Sequence, residues 1–198
     1  MEKTLITISR QFGSGGREIA ELLTRKLNCH HYNSKIVEIA AANLHNGASI
    51  DEAIARSYHT PEEAQENLDK YEGFERMVEN NRMYVEQAKV ILNVAERPES
   101  AIFLGRCADY ILRTRKDVFS FFIYADDDFR AERGKLKYHG MSLKELNREE
   151  NRRKQYYEFY TGQRWGDPTN YDMMINTSGI SLETAANTIL AYIQFCRS

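Results

Sequence analysis

The spacing of apolar positions changes several times along this chain, and each change marks a predicted element. Thr4-Leu5-Ile6-Thr7-Ile8 is a short β-branched run that leads into Gly13-Ser14-Gly15-Gly16, after which Ile19, Leu22, Leu23 and Leu27 recur at helical spacing. The order predicted there is strand, glycine loop, helix. Ala101-Ile102-Phe103-Leu104 and Val118-Phe119-Ser120-Phe121-Phe122-Ile123-Tyr124 show no polar alternation, as expected of strands covered on both faces. Tyr171-Asp172-Met173-Met174-Ile175-Asn176 is a further candidate strand, and the more polar His30-His31-Tyr32-Asn33 another. Between them, Phe74, Met77, Val78, Val85, Ala88, Ile91, Leu92 and Ala95 repeat with a helical period that ends near Pro98. Leu182, Ala185, Ala186, Ile189, Leu190 and Ile193 form the stripe of a final helix with Ser181 placed to cap it. Capping boxes at Thr60-Pro61-Glu62-Glu63 and Ser142-Leu143-Lys144-Glu145 each mark a helix start. Strands alternating with helices predict an α/β fold around a parallel sheet of about five strands.

At 198 residues the chain suits one domain with inserts. Residues 43–71 and 138–153 are polar, charge-rich and begin near Gly47 and Gly140, so they read as insertions or flaps over one edge of the sheet, or else as ordinary surface helix. No apolar run approaches the ~20 residues of a membrane span, and no signal peptide precedes the first strand, so a cytoplasmic location is expected. The three cysteines, Cys29, Cys107 and Cys196, are widely spaced and read as reduced thiols. The adjacent His30 and His31 would point to opposite faces of a strand, which argues against a metal site there.

A net charge of −2 argues against a duplex-DNA binder, and no stable nucleic-acid partner is expected. The distribution is more informative: residues 51–79 carry nine acids against three bases, and residues 130–164 ten bases against five acids. The second stretch calls for an anionic partner. Its aromatic residues Tyr156, Tyr157, Phe159, Tyr160 and Trp165 are compatible with stacking on a base or with packing among themselves. Asp126-Asp127-Asp128 falls just before a predicted helix and reads as its acidic first turn rather than as a cation site.

A glycine turn between a first strand and a first helix lets backbone N–H groups approach a phosphate and aims the positive end of the helix at it. The segment Ser9-Arg10-Gln11-Phe12-Gly13-Ser14-Gly15-Gly16-Arg17-Glu18 has the position of a P-loop without its letters. Registered on Gly15, Arg10 stands at the first glycine, Gly16 at the lysine and Glu18 near the hydroxyl. Arg17 or Arg10 is left to supply the lysine's charge.

The run from Ile6 to Ala20 resembles the opening of the cytidylate kinase-like family, a branch of the P-loop nucleoside monophosphate kinases. Leu104-Gly105-Arg106-Cys107-Ala108-Asp109 is similar to that family's Gly-Arg motif after a central strand. Glu150 to Gly162 resembles its lid segment, and Trp165-Gly166-Asp167-Pro168 with Tyr171 to Ser178 its C-terminal signature. The resemblance implies ATP and magnesium, with donor phosphates cradled at Gly13, Ser14, Gly15, Gly16 and Arg17. It implies an acceptor, CMP or dCMP, held by Arg106 and Asp109 under the 43–71 insertion. It also implies a basic lid whose Arg133 and Arg153 join Arg17 around the transferring group. Guanidinium forks suit that chemistry, because phosphoryl transfer consists mostly of positioning and neutralising charged oxygens. Where the family carries Asp after Gly-Arg and Lys in the loop, this chain has Cys107 and Gly16.

Overall fold

The computed structural model describes residues 2–33, 36–40 and 70–198. All strands are parallel, in the order β2-β3-β1-β4-β5. In chain order the elements are β1 (Leu5–Arg10), α1 (Gly16–Leu27), β2 (His30–Tyr32), α2 (Lys70–Glu96), β3 (Ala101–Leu104) and the short α3 (Ala108–Ile111). They continue with β4 (Val118–Tyr124), α4 (Asp127–Lys137), α5 (Leu143–Thr161), a 3-10 turn (Pro168–Asn170), β5 (Met173–Asn176) and α6 (Leu182–Arg197). Every strand predicted from the sequence is present. Nearly all of the 43–71 segment, including the capping box at Thr60, lies outside the described residues.

Side chains of β1 alternate between two cores, as the two-residue period of a strand requires. Ile6 and Ile8 pack with Ile102, Leu104, Phe121 and Ile123 against α1 and α6, through Ile19, Leu23, Ala185 and Ile189. Leu5 turns to the other face with Ala101 and Phe103, meeting Val90, Ile91 and Val94 of α2. Each of these fully buried aliphatic side chains contributes about 1.5–3 kcal/mol relative to exposure. The absence of alternation in the sequence follows from this double coverage. β2 is the polar exception because it lies at the sheet's edge.

The helix starts follow local chemistry. Ser142 and Glu145 form a complete capping box at α5, and Ser181 Oγ accepts from the Thr184 amide at α6. The acidic run before α4 behaves as an N-terminal turn: Asp126 is its N-cap and Asp127 and Asp128 fill its first positions. Residues 138–153 comprise the connection into α5 and its first turns, with Met141 N donating to Tyr138 O at 3.1 Å. Among the described residues no helix is long and apolar enough to cross a membrane.

The strand order places the topological switch at β1. The chain leaves β1 for β2 on one side, returns through β3, and then crosses to β4 on the other, opening a crevice at the carboxyl ends of β1 and β3. The glycine loop and the Gly105 turn both emerge there.

Candidate phosphate-binding site

The glycine loop is anchored at both ends. Gln11 N donates to Ile123 O at 2.8 Å, and Gln11 Oε1 accepts from Ala125 N at 3.1 Å, so the loop leaves the sheet fastened to β4. Gly15 adopts a left-handed φ of 85° as the N-cap of α1, and Ile19 N closes the first helical turn on Gly15 O at 3.0 Å. Thr177, just past β5, donates from its hydroxyl to Ser14 O at 2.7 Å. Ser14 N is spent on Gln11 O at 3.2 Å, while the backbone of residues 13–16 as a whole leads into a helix N-terminus over the switch point, which is the arrangement that receives phosphate.

Helices α4 and α5 pack onto this loop through arginines. Arg130 is 2% exposed; its Nε donates to Phe12 O at 2.8 Å, Nη1 to Asp127 Oδ1 at 2.9 Å and Nη2 to Asn147 Oδ1 at 2.8 Å. One side chain therefore ties the loop to both helices. Arg133 Nε donates to Gly13 O at 3.1 Å, and its Nη2 pairs with Glu18. Arg153 Nη1 donates to Arg10 O at 3.2 Å while its guanidinium lies 4.5 Å from the centroid of the Phe12 ring. Glu150 accepts the Phe12 amide on Oε2 and the Trp165 indole N–H on Oε1, both at 2.6 Å. Of the arginines expected around the transferring group, Arg133 and Arg153 are at the loop. Arg17 is not directed over it: it runs along the outside of α1 to Glu21 at 3.4 Å, with its side chain 68% exposed. Counted from Gly15, the residue at the hydroxyl position of the P-loop is Arg17, one place before Glu18. Arg148 and Arg152 face Glu149 at the surface.

The β3 turn forms the other wall. Gly105, Arg106 and Cys107 have φ values of 72°, 62° and 56°, a run of left-handed residues of which only the glycine is at ease. The turn is held by Gly105 N donating to Ile8 O at 3.0 Å and Ala108 N to Gly105 O at 3.2 Å. It holds Arg106 buried, 4% exposed, in the turn that follows β3. Asp109, expected to bind the acceptor, is buried in α3, 5% exposed, with its carboxyl engaged within the chain: Tyr157 donates its hydroxyl to Oδ2 at 2.6 Å, and Ser9 donates to Oδ1 at 3.4 Å. Burial pushes the Asp109 carboxyl above its ordinary range, and the hydrogen bonds from Tyr157 and Ser9 only partly offset this. Burial likewise pushes the Cys107 thiol well up, with the Asp109 charge adding to it, and the side chain packs, 3% exposed, against Tyr156 and Tyr157.

The aromatic group of α5 packs among itself. Cys107, Tyr156 and Tyr157 form a buried cluster flanked by Tyr84, Tyr160 and Trp165, in which Tyr84 and Tyr160 stack at 4.2 Å. Among the described residues no group of three or more His, Cys, Asp or Glu is placed to hold a metal ion.

The sequence indicated Arg106, Arg133, Arg153 and the glycine loop, but not the structural weight of Arg130. Its only local signal is Asp127 three positions earlier on the same helix face.

Comparison with known proteins agrees with this geometry. A structure titled as an uncharacterized protein from Eubacterium ventriosum ATCC 27560 superposes with a TM-score of 0.69 at 24% identity, covering 97% of this chain and 99% of that one. A shikimate kinase from Bacteroides thetaiotaomicron gives 0.57 at 13% identity, covering 96% and 98%. A shikimate kinase from Aquifex aeolicus gives 0.51 at 16%, covering 98% of each. At these identities the likeness establishes the fold, that of the P-loop kinases. No curated protein matches. The profile of the cytidylate kinase-like family, however, runs across residues 5–179, from the first strand through the turn after β5, and the chain therefore belongs to the cytidylate kinase-like family.

Proposed function

We propose that this protein transfers the terminal phosphoryl group of ATP to a nucleoside monophosphate, with CMP or dCMP as the first candidates. The observation that carries the reading is the convergence of Arg10, Arg133 and Arg153, from three separate elements, on one glycine loop at the switch point, with the turn that carries Arg106 beside it. A phosphate oxygen of the acceptor would attack the γ-phosphorus, and the bond to the β,γ-bridging oxygen would break to release ADP. An ionised phosphate acceptor needs no general base. What the chain must supply is alignment and positive charge.

Amides of the glycine loop would hold the donor phosphates, and Arg106 the acceptor phosphate across the crevice. Arg133 and Arg153 reach the loop from α4 and α5, so closure of these helices would complete the ring of charge and exclude water that would otherwise accept the phosphoryl group. Magnesium would enter with the ATP. The P-loop hydroxyl position is Arg17 and no group of three or more His, Cys, Asp or Glu among the described residues is placed to hold a metal, so no protein ligand to the metal is assigned and no step depends on one.

A second reading, a kinase of the same fold acting on another small acceptor, is favoured by the shikimate kinases among the structural neighbours. Coupled ADP release with MgATP against CMP, dCMP, UMP, AMP, GMP and shikimate separates the two. Turnover confined to CMP and dCMP supports the first reading. Turnover with shikimate alone supports the second. ATP binding without any turnover moves the protein to a nucleotide-responsive binding role.

A further inference from the structure

The cation of the P-loop has changed places with its glycine. In the usual motif a glycine ends the strand and a lysine opens the helix; here Arg10 ends β1 and Gly16 opens α1. The two positions touch: a Cβ on Gly16 would lie 2.6 Å from Arg10 Cβ and 3.0 Å from Arg10 Cγ. A lysine at 16 therefore cannot coexist with the arginine at 10. From there the Arg10 side chain runs across the crevice, and its Nη1 lies so close over Gly105 that a Cβ at that position would collide with it. The guanidinium thus bridges the donor loop and the acceptor turn.

Arg10 is 6% exposed, yet among the described residues no side chain or carbonyl accepts a hydrogen bond from its guanidinium and no carboxylate pairs with it. None of its nitrogens is among the sealed polar atoms, so the group keeps access to the crevice. Buried guanidinium groups are otherwise paired, as Arg130 is on three sides, because an isolated charge out of water is expensive to keep.

We infer that Arg10 is the phosphate-binding cation of this loop, clasping the terminal phosphate of a polyphosphate at the point where it passes from donor to acceptor, and that Gly16 is a glycine because Arg10 fills its space. The inference rests on the kinase reading for the identity of the donor, but the anion site itself does not. A planar fork fixed on a central strand presents two parallel N–H donors to a phosphate, which a lysine on the helix does as a point charge.

Calorimetry with sodium tripolyphosphate and with MgATP tests this on the wild type, Arg10→Met, Arg10→Lys, Arg10→Gly, Gly16→Lys and the double variant Arg10→Gly/Gly16→Lys. Arg10→Met is expected to weaken tripolyphosphate at least tenfold while leaving the ligand-free melting temperature unchanged or higher, since it removes an unpaired buried charge and keeps the volume. A side chain with a purely structural role would lower that temperature and leave affinity intact. Arg10→Lys, which keeps the charge, covers the case in which Arg10→Met does not fold, and is expected to bind between the two. The double variant is expected to recover at least tenfold of the binding lost in Arg10→Gly, whereas Gly16→Lys alone binds poorly because its side chain meets Arg10. Wild-type affinity in a folded Arg10→Met, no polyphosphate binding by the wild type, or no recovery in the double variant would each overturn the inference. Arg10-dependent binding with no phosphorylated acceptor would sink the kinase reading and leave the anion site standing.

Discussion

Glu150 Oε2 accepts the Phe12 amide at 2.6 Å, placing a carboxylate of α5 directly on the backbone of the glycine loop. Its other oxygen takes the indole N–H of Trp165, the only tryptophan in the chain. The state of the loop is thereby wired to a fluorescent reporter. Replacing Glu150 by Ala removes the acceptor of both bonds and should lower stability by about 2 kcal/mol, with a red shift of Trp165 emission; Glu150→Gln keeps one acceptor oxygen and should lose less. Titrating the wild type with MgATP should move the same emission if the donor's charge loosens the Glu150 contact. An unchanged spectrum in Glu150→Ala would show that the indole bond does not persist in solution.

Arg130 is the second fastening. Its three acceptors belong to the loop, to α4 and to α5, and its guanidinium is sealed from water. Truncation to Ala leaves a cavity and orphans the Phe12 carbonyl, so a loss of about 3 kcal/mol is expected, or roughly 6–12 °C in melting temperature for a domain of this size. Lys at this position supplies charge but not the planar three-way fork, and should recover less than half of the loss. Thermal melts of both variants decide it.

The contrast between these two residues and the capping box at Ser142 explains what a sequence can disclose. Ser142 and Glu145 satisfy each other within one helical turn, so the local letters suffice. The buried strands were equally legible, because coverage on both faces leaves an unbroken apolar run. Arg130 and Glu150 act on Phe12 from 118 and 138 residues away, and the one local sign, Asp127 three positions before Arg130, is a pairing that solvated helix charges also make. The reverse holds for Arg17. It adjoins the loop in sequence, but helix phase carries its side chain outward to Glu21. Proximity along the chain places the glycine loop at the start of α1 but does not say which neighbouring cations turn toward it.

Asp109 supports a prediction with a definite sign. Its folded carboxyl titrates above its ordinary value, chiefly through burial. Between the unfolded and folded pKa the native state holds a proton that the unfolded state has lost, so stability contributed by this group is greatest below the unfolded value and falls as pH rises through the folded one. Asparagine cannot ionise and still accepts from the Tyr157 hydroxyl. The melting temperature of Asp109→Asn relative to wild type should therefore climb between pH 4 and pH 7. A difference that stays flat or shrinks over that range would show that the carboxylate is better solvated than its burial indicates.

Arg133 and Glu18 offer the sharpest test of the basic arm, because the pair connects α4 to α1 while Arg133 Nε also holds Gly13 O at 3.1 Å. Two roles predict different couplings. If Arg133 serves the reaction only by shaping the loop, then Glu18→Gln, which releases half of its anchoring, should reproduce much of the Arg133→Ala defect, and the double variant should be little worse than either. Partners in direct contact are non-additive by about 1 kcal/mol or more. If instead Arg133 leaves Glu18 to neutralise the transferring group, removing the carboxylate should spare or raise kcat while Arg133→Ala lowers kcat by at least tenfold with little change in the KM for ATP. Steady-state kinetics on the two single variants and the double variant, with the best acceptor from the substrate panel, separate these outcomes. The partial burial of both side chains, 13% and 32% exposed, makes the bond strong enough to shape the resting loop and open enough to be exchanged for a phosphate. We therefore expect the second pattern.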